Sequence, residues 1–121
     1  MRYMLLVYGC DRPDPASPEM QGKRAAVNAF IDLCRERGVF LAADPLHGVE
    51  TATTVRVQHG ETLITDGPFA ETREWLAGYF LLDCRDLDEA LELAALCPLA
   101  AEGPLEVRPV LERGVTRRMA G

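Results

Sequence analysis

Two segments of the chain are almost continuously apolar and are short enough to be strands. They are residues 2–8, which read Tyr-Met-Leu-Leu-Val-Tyr after Arg2, and residues 77–83, which contain Gly-Tyr-Phe-Leu-Leu. A strand that is apolar on both faces is covered on both sides, which is typical of the centre of a sheet. We therefore predict that these two segments form the central strands.

Apolar residues recur at helical spacing in two other segments, the first of which spans residues 18–37. Ser17 is a typical N-cap, Pro18 suits the first helical position, and Gly38 supplies the C-terminal stop. The residues expected to face the core follow the spacing i, i+3, i+4, i+7: Val27, Phe30, Ile31 and Cys34. The charged residues expected to face solvent are Lys23, Arg24, Asp32, Arg35 and Glu36.

A second helix is predicted over residues 87–97. Asp86 followed by Glu89 resembles a capping box, and Pro98 ends the segment. The expected buried stripe repeats the spacing of the first helix: Leu87, Ala90, Leu91 and Ala94.

Shorter strands are predicted over residues 39–43 and 105–111. Two further segments, residues 51–58 and 61–65, are rich in β-branched side chains and are separated by His59 and Gly60. Glycine readily adopts the positive φ that a two-residue hairpin turn requires, so these segments are predicted to form a hairpin. Residues 46–50 form a connecting loop that contains His47.

Without the hairpin, the elements follow the order β-α-β-β-α-β. This order is typical of a ferredoxin-like domain, and two right-handed crossovers give it the strand order 4-1-3-2. We therefore predict an α+β ferredoxin-like fold with an inserted β-hairpin, an antiparallel sheet and both helices on one face. Because the central strands are apolar on both faces, the other face needs a second cover. A homodimer packed through the sheet face would supply it.

Composition narrows the possible functions of the chain. Its 121 residues, 48% apolar and 26% charged, fit a single domain over residues 1–112 with a short tail over 113–121. The net charge of -6 argues against binding to nucleic acid or to a membrane surface. With no apolar stretch of membrane-spanning length and no signal-peptide pattern, we expect a cytoplasmic protein.

The four cysteines lie far apart in the sequence and lack metal-ligand spacing. They are Cys10, Cys34, Cys84 and Cys97. Buried free thiols are therefore expected, and neither a metal nor a cofactor is predicted.

Turn formers and charged residues are concentrated in residues 66–74, between two predicted strands. The segment reads Asp66-Gly67-Pro68-Phe69-Ala70-Glu71-Thr72 and continues with Arg73-Glu74. It resembles the signature of the DGPF-domain branch of the YCII-related proteins. Residues 3–6, 51–56, 78–79, 87–90 and 106–109 are similar to that branch as well, so that the resemblance covers nearly the whole chain.

The resemblance implies a small bacterial protein with a dimeric α/β-barrel assembly and, for most of the family, no assigned function. Some YCII-related proteins are enzymes, among them a dehydrochlorinase of chlorinated hydroxyquinols, and the family is associated with a His and Asp pair in a cleft. Counted back from Gly38, the position of that histidine falls near Val27 or Asn28, neither of which is a general base. The resemblance therefore implies a carboxylate, Asp66 or Glu71, whose partner base is missing or relocated.

Eight residues are candidates for a functional site. The catalytic candidates are Asp66, Glu71 and His47, and the substrate-binding candidates are Pro68, Phe69, Arg73, Tyr79 and Arg108. Structural roles remain open for most of them: a turn cap for Asp66, a surface loop position for His47, an exposed ion pair for Glu71 with Arg73, a loop anchor for Phe69, packing for Tyr79 and an edge-strand charge for Arg108.

Two functions remain open at this point. The first is a protein that binds or transforms a small molecule in a cleft between the sheet, the DGPF loop and a dimer partner, with cofactor-free proton-transfer or lyase-type chemistry on a phenolic or carbonyl compound. The second is a non-catalytic regulatory or protein-interaction module linked to an alternative sigma factor, a role suggested by the family's frequent encoding beside such factors.

Overall fold

Six strands and two helices form within the part of the chain that the computed structural model describes, namely residues 1–9, 14–69 and 74–112. The strands are β1 (Arg2–Tyr8), β2 (Phe40–Pro45), β3 (Thr53–Gln58), β4 (Glu61–Asp66), β5 (Leu76–Asp83) and β6 (Leu105–Pro109). The helices are α1 (Pro18–Glu36) and α2 (Leu87–Leu96). In these residues no helix is long and apolar enough to cross a membrane.

The main sheet has four antiparallel strands in the order β2-β5-β1-β6. When the hairpin is left out of the numbering, this order is the predicted 4-1-3-2 read from the opposite edge. The α+β class, the antiparallel sheet and the central position of the two apolar segments are confirmed.

The helices pack on one face of this sheet and enclose the core. Leu5 and Val7 of β1 alternate with the half-buried Met4 and Leu6, and only the first pair belongs to the buried core. Phe80 of β5 meets Phe30 of α1 edge to face, with ring centroids 5.3 Å apart. The face that carries Met4 and Leu6 is opposite the helices, and we call it the open face.

Helix α1 agrees with its predicted caps and its predicted stripe. The Ser17 hydroxyl accepts a hydrogen bond from the Met20 amide at 3.2 Å, and Gly38 follows the helix with a φ of 72°. Phe30 and Cys34 are buried, and Val27 and Ile31 pack against the core.

One charged residue of α1 departs from the prediction of a solvated face. Lys23 is half-buried, and its ammonium group lies 2.7 Å from a carboxylate oxygen of Glu102. The expectation of a solvated Lys23 was wrong because its long side chain reaches across to the segment that follows α2.

The buried face of α2 differs from the predicted one. Leu87 and Leu91 are 46% and 47% exposed, whereas Leu93 is fully buried. A second stripe, displaced by three residues, satisfies the same spacing and faces the core: Ala90, Leu93, Ala94 and Cys97. The predicted stripe was therefore wrong for its two leucines, because two overlapping stripes fit the helical spacing equally well.

Strands β3 and β4 form the predicted hairpin as a separate two-stranded sheet. Its turn residues His59 and Gly60 have φ values of 51° and 79°, as a primed hairpin turn requires. One face of the hairpin exposes three aliphatic side chains, Val55, Val57 and Ile64, by 59%, 68% and 66%.

Strand β2 continues two residues beyond its predicted end. Asp44 pairs with Tyr79 and Pro45 pairs with Gly78 of β5. A Cβ atom on Gly78 would lie 2.8 Å from the Asp44 carbonyl oxygen and 3.1 Å from the Pro45 Cα. The absence of a side chain at Gly78 is therefore what lets the two strands approach at this end.

Replacing Gly78 by alanine is expected to destabilise the fold by about 1–3 kcal/mol, because the added methyl group collides with backbone that cannot rotate away. The matched control is Gly22→Ala in α1, where an added Cβ meets nothing within 4 Å. That change should stabilise the helix by about 1 kcal/mol. Urea denaturation followed by circular dichroism measures both, and a Gly78→Ala variant as stable as the wild type would contradict the account.

Candidate functional site

A cleft with a volume of about 750 Å³ opens between α1 and the end of the sheet where β2 meets β5. Its apolar lining comes from helix and sheet: Val7, Met20, Val27, Ile31, Ala43, Ala77, Phe80 and Leu99. Its polar lining comes from α1, from the end of β2 with the loop that follows, and from β5: Lys23, Arg24, Asn28, Asp44, His47 and Tyr79. An apolar cavity with a few polar groups at its border is the usual form of a small-molecule site.

Tyr79 and Asp44 form a hydrogen-bonded pair at this border. The Tyr79 hydroxyl donates to Oδ2 of Asp44 at 2.9 Å, because the two residues face each other across the β2–β5 ladder. This hydrogen bond, together with the negative charge of the carboxylate, raises the pKa of Tyr79. Tyr79 is therefore the hydrogen-bond donor of the pair, and Asp44 is the acceptor.

Strand alternation fixes the direction of the Tyr79 ring. Gly78 and Phe80 are on the helix side of β5, so that Tyr79 between them projects to the open face. The residue of β1 that pairs with Tyr79 is Leu6, which also lies on the open face. The Tyr79–Asp44 pair thus lies where the cleft meets the open face.

The cations of the cleft border differ in their partners. Lys23 is paired with Glu102 at 2.7 Å. Arg24 is exposed and forms no ion pair with any residue in the described ranges. Arg24 is therefore the cation of this border whose charge is not balanced by a described carboxylate.

His47 lies just beyond β2, where the ladder with β5 continues for one more contact. The Leu46 amide donates to the Ala77 carbonyl oxygen at 2.8 Å, which fixes the chain immediately before the histidine. The imidazole is exposed and lines the cleft. Val27 and Asn28, the positions to which the resemblance assigns the family histidine, line the same cleft from α1.

The described part of the DGPF segment lies apart from the cleft lining. Asp66 ends β4 opposite Thr53 and is exposed, and its carboxylate makes no hydrogen bond with a residue in the described ranges. Hydrogen bonds to the main chain of Gly67 hold the turn instead: the Gly67 amide donates to the Ala52 carbonyl at 2.7 Å, and the Thr54 side-chain hydroxyl donates to the Gly67 carbonyl at 2.7 Å. The φ of 95° at Gly67 explains the need for glycine there.

The predicted site residues are therefore not gathered into one place. His47 and Tyr79 both line the cleft, whereas Asp66, Pro68 and the 77% exposed Phe69 do not. Arg108 lies on β6 opposite Met4, at the far edge of the sheet, and is exposed. The remaining two candidates, Glu71 and Arg73, lie outside the described residues.

Sequence reasoning missed the cleft residues Asp44, Arg24 and Asn28. Arg24 was predicted to face solvent, and Asp44 lay just beyond the predicted end of its strand at residue 43. The spacing of Arg24 and Asn28, four residues apart on a helix, was a usable signal, since such residues lie side by side. The pairing of Asp44 with Tyr79 had no local signal, because it depends on the register of two strands distant in sequence.

Three of the four cysteines lie within the described residues. Cys34, Cys84 and Cys97 are buried thiols that are not part of a disulfide, as predicted, and Cys10 lies outside the described residues. Burial raises the pKa of Cys34 to about 11 and also raises that of Cys84, so that neither is a thiolate at neutral pH. Among the described residues, no group of His, Cys, Asp and Glu is arranged to hold a metal ion.

The family model of the YCII-related domain matches residues 1–113. The chain belongs to the YCII-related family. Among individual proteins, it is 51% identical over 61 residues to an uncharacterised protein of Rhizobium meliloti (strain 1021). That match spans about half of each chain, 49% in both cases.

A solved structure with a similar fold is that of TftG, a 5-chloro-2-hydroxyhydroquinone dehydrochlorinase from Burkholderia phenoliruptrix AC1100, in complex with 2,5-dihydroxybenzoquinone. The superposition has a TM-score of 0.53 and covers 93% of this YCII-related chain and 96% of TftG. The two sequences are 13% identical, so this likeness establishes a shared fold.

Ionisation of Tyr79 is expected at a higher pH than that of an unperturbed tyrosine, whose pKa is about 10. The chain has two other tyrosines, so the ultraviolet titration curve of Tyr79→Phe is subtracted from that of the wild type. The difference reports the ionisation of Tyr79 alone. Asp44→Ala should return the titration toward the ordinary value because it removes the acceptor and its charge, whereas Asp88→Ala on α2 should leave it unchanged. A Tyr79 titration that Asp44→Ala does not move would refute the pairing.

Proposed function

We propose that the protein binds a small molecule in the cleft between α1 and the β2–β5 end of the sheet and acts on it by proton transfer without a bound cofactor. The observation that carries the proposal is the apolar cleft with the Tyr79–Asp44 pair at its border. The volume of about 750 Å³ is within the range of about 300–1,000 Å³ for ligand pockets.

The Tyr79–Asp44 pair suits a ligand with a hydroxyl or enol group. Because the Tyr79 proton is directed to Asp44, the phenolic oxygen presents its lone pairs to a ligand donor. Proton transfer from the ligand to Tyr79, with the Tyr79 proton passing to Asp44, leaves a ligand anion and a neutral carboxyl group. His47, at the same border, is the candidate for a second acid or base in this scheme.

The ligand in the TftG structure supports a phenolic or quinone-like ligand class for this proposal. TftG is described as a dehydrochlorinase, and its structure holds 2,5-dihydroxybenzoquinone. With 13% identity the chemistry does not transfer residue by residue. The sequence candidates Asp66, Glu71, Pro68, Phe69, Arg73 and Arg108 remain predictions in this scheme, with His47 and Tyr79 as the two that line the cleft.

Filling the cleft should abolish ligand binding. The variant Asn28→Trp places an indole at the cleft border, whereas Ala29→Trp places one on an exposed position of the same helix outside the cleft lining. The test is a thermal-shift experiment with 2,5-dihydroxybenzoquinone and a panel of simple phenols. The same compounds should stabilise the wild type and Ala29→Trp, by about 2.7 kcal/mol when the ligand concentration is one hundred times Kd. Asn28→Trp should show no shift.

The proposal fails in two distinguishable ways. If no compound stabilises the wild type, small-molecule binding at this cleft loses its support. If compounds stabilise Asn28→Trp as well as the wild type, binding occurs elsewhere on the protein.

We further propose a homodimer through the open face, which is the assembly expected of a dimeric α/β barrel. Met4, Leu6 and Leu81 lie on this face, where neither helix covers them, and an uncovered apolar sheet face favours self-association. A partner on the open face would also enclose the Tyr79–Asp44 pair. A bacterial cytoplasm is part of the proposal, supported by the bacterial relative and by the free thiols.

Leu81→Arg is expected to yield a folded monomer, because a guanidinium group on the open face opposes its burial in a dimer. Val57→Arg, on the exposed face of the hairpin, is the matched control and should remain dimeric. Sedimentation velocity at micromolar concentration reports the mass, and circular dichroism confirms folding. A wild-type protein that sediments as a monomer at micromolar concentration would refute the proposed dimer.

The hairpin favours the second candidate function, a protein-interaction module that contacts an alternative sigma factor. Three aliphatic side chains on one face of a two-stranded sheet are more than half exposed, namely Val55, Val57 and Ile64. A surface of this kind suits a protein contact. This function gains weight if the ligand panel yields no thermal shift while Val57→Arg alone loses binding to a purified sigma factor.

A further inference from the structure

We infer that two copies of the chain join through the open face about a two-fold axis that runs across the strands, so that Arg108 of each subunit forms an ion pair with Glu106 of the other. This inference rests on the proposed homodimer and specifies how the two subunits meet.

Side chains on the open face form two rows that cross the four strands of the main sheet. From β6 to β2, the first row comprises Arg108, Met4, Leu81 and Ala42. The second row comprises Glu106, Leu6, Tyr79 and Asp44. The rows are roughly 7 Å apart, because side chains on one face of a strand recur at every second residue. Both rows are apolar in the middle and carry their charges at the edges of the sheet.

The β6 edge presents a cation beside an anion. Arg108 and Glu106 are exposed, and Val107 between them packs against the core, so the two charged side chains project to the open face. Neither forms an ion pair with a residue in the described ranges. Among the described residues, their charges are therefore not compensated.

Two sheets that pack face to face in the aligned manner keep their strands within about 30° of each other and lie roughly 10 Å apart. A two-fold axis in the interface can then run across the strands or along them. The two directions superimpose different rows, so the charges at the edges of the sheet distinguish them.

An axis across the strands, between the two rows, places each row opposite the other row of the partner. Arg108 then faces Glu106 of the partner subunit, and symmetry repeats the contact, which gives two ion pairs. The apolar middle of each row meets the apolar middle of the other.

An axis along the strands places each row opposite the same row of the partner. Glu106 then faces Asp44 of the partner subunit, and symmetry repeats this contact between like charges. Like charges opposed across an interface are unfavourable. The axis across the strands replaces two repulsive contacts by two attractive ones and is therefore favoured.

The favoured axis also brings the partner into the candidate site. Leu81 of the partner subunit faces Tyr79, and the partner's Ala42 faces Asp44. The Tyr79–Asp44 hydrogen bond is then covered by apolar side chains of the other subunit, so the pair is enclosed only when two subunits meet.

Charge reversal on β6 tests the ion pairs. Arg108→Glu and Glu106→Arg should each raise the dissociation constant of the dimer about tenfold, because each turns two attractive contacts into two repulsive ones. The double variant Glu106→Arg with Arg108→Glu exchanges the two charges and should restore the wild-type value. Sedimentation equilibrium measures the constants, and circular dichroism confirms that each variant is folded.

Hairpin variants control for the change in net charge. Arg56→Glu and Glu61→Arg change the charge by the same amounts at exposed positions outside the open face. Both should leave the dissociation constant unchanged.

Substitution of Ala42 tests the contact at the other edge of the sheet. Ala42→Lys should dimerise about tenfold more tightly than Ala42→Glu, because the new side chain faces Asp44 of the partner subunit. An axis along the strands would reverse this order, since Ala42 would then face the partner's Arg108.

The outcomes separate the inference from the dimer on which it rests. If Glu106→Arg tightens the dimer, if the double variant does not recover the wild-type constant, or if Ala42→Glu dimerises more tightly than Ala42→Lys, the inference is overturned while the dimer stands. If the wild type is a monomer at micromolar concentration, both are overturned.

Discussion

The pairing of β1 with β5 is the contact on which the rest of the fold depends. These strands pair from Arg2 with Asp83 to Tyr8 with Leu76, and both are apolar on both faces. Their register places Leu5 and Phe80 together under the helices. A slip of one residue would move these side chains to the open face, so the pairing decides both where the core lies and which face remains uncovered.

The same pairing positions the candidate site through β2. Once β5 is fixed at the centre, β2 joins its free edge, and Gly78 allows the backbone of Asp44 and Pro45 to come close. The close approach brings the Asp44 carboxylate opposite the Tyr79 hydroxyl. A position without a side chain is therefore as important for the site as the two polar groups that it brings together.

Local patterns predicted the architecture because the physics behind them is local. The caps of α1, the turn at His59 and Gly60 and the two central strands depend on neighbouring residues, and all were predicted correctly. The buried face of α2 was wrong for Leu87 and Leu91 because two stripes share one spacing. Of the eight site candidates, His47 and Tyr79 line the candidate cleft, and their roles stay predictions. The role of Asp44 depends on a contact between residues 35 positions apart, for which the sequence carries no local signal.

The site and the proposed assembly meet at one pair of residues. In a single subunit the Tyr79–Asp44 hydrogen bond is accessible to water, which competes for both groups and reduces the net contribution of the bond to stability. A second subunit on the open face would exclude that water, and a lower local dielectric strengthens both the hydrogen bond and the effect of the Asp44 charge on Tyr79. Proton transfer through this pair should then be most effective in the dimer. Because Leu6 and Leu81 flank Tyr79 on the open face, the apolar contacts that would hold two subunits together are the same ones that would enclose the pair.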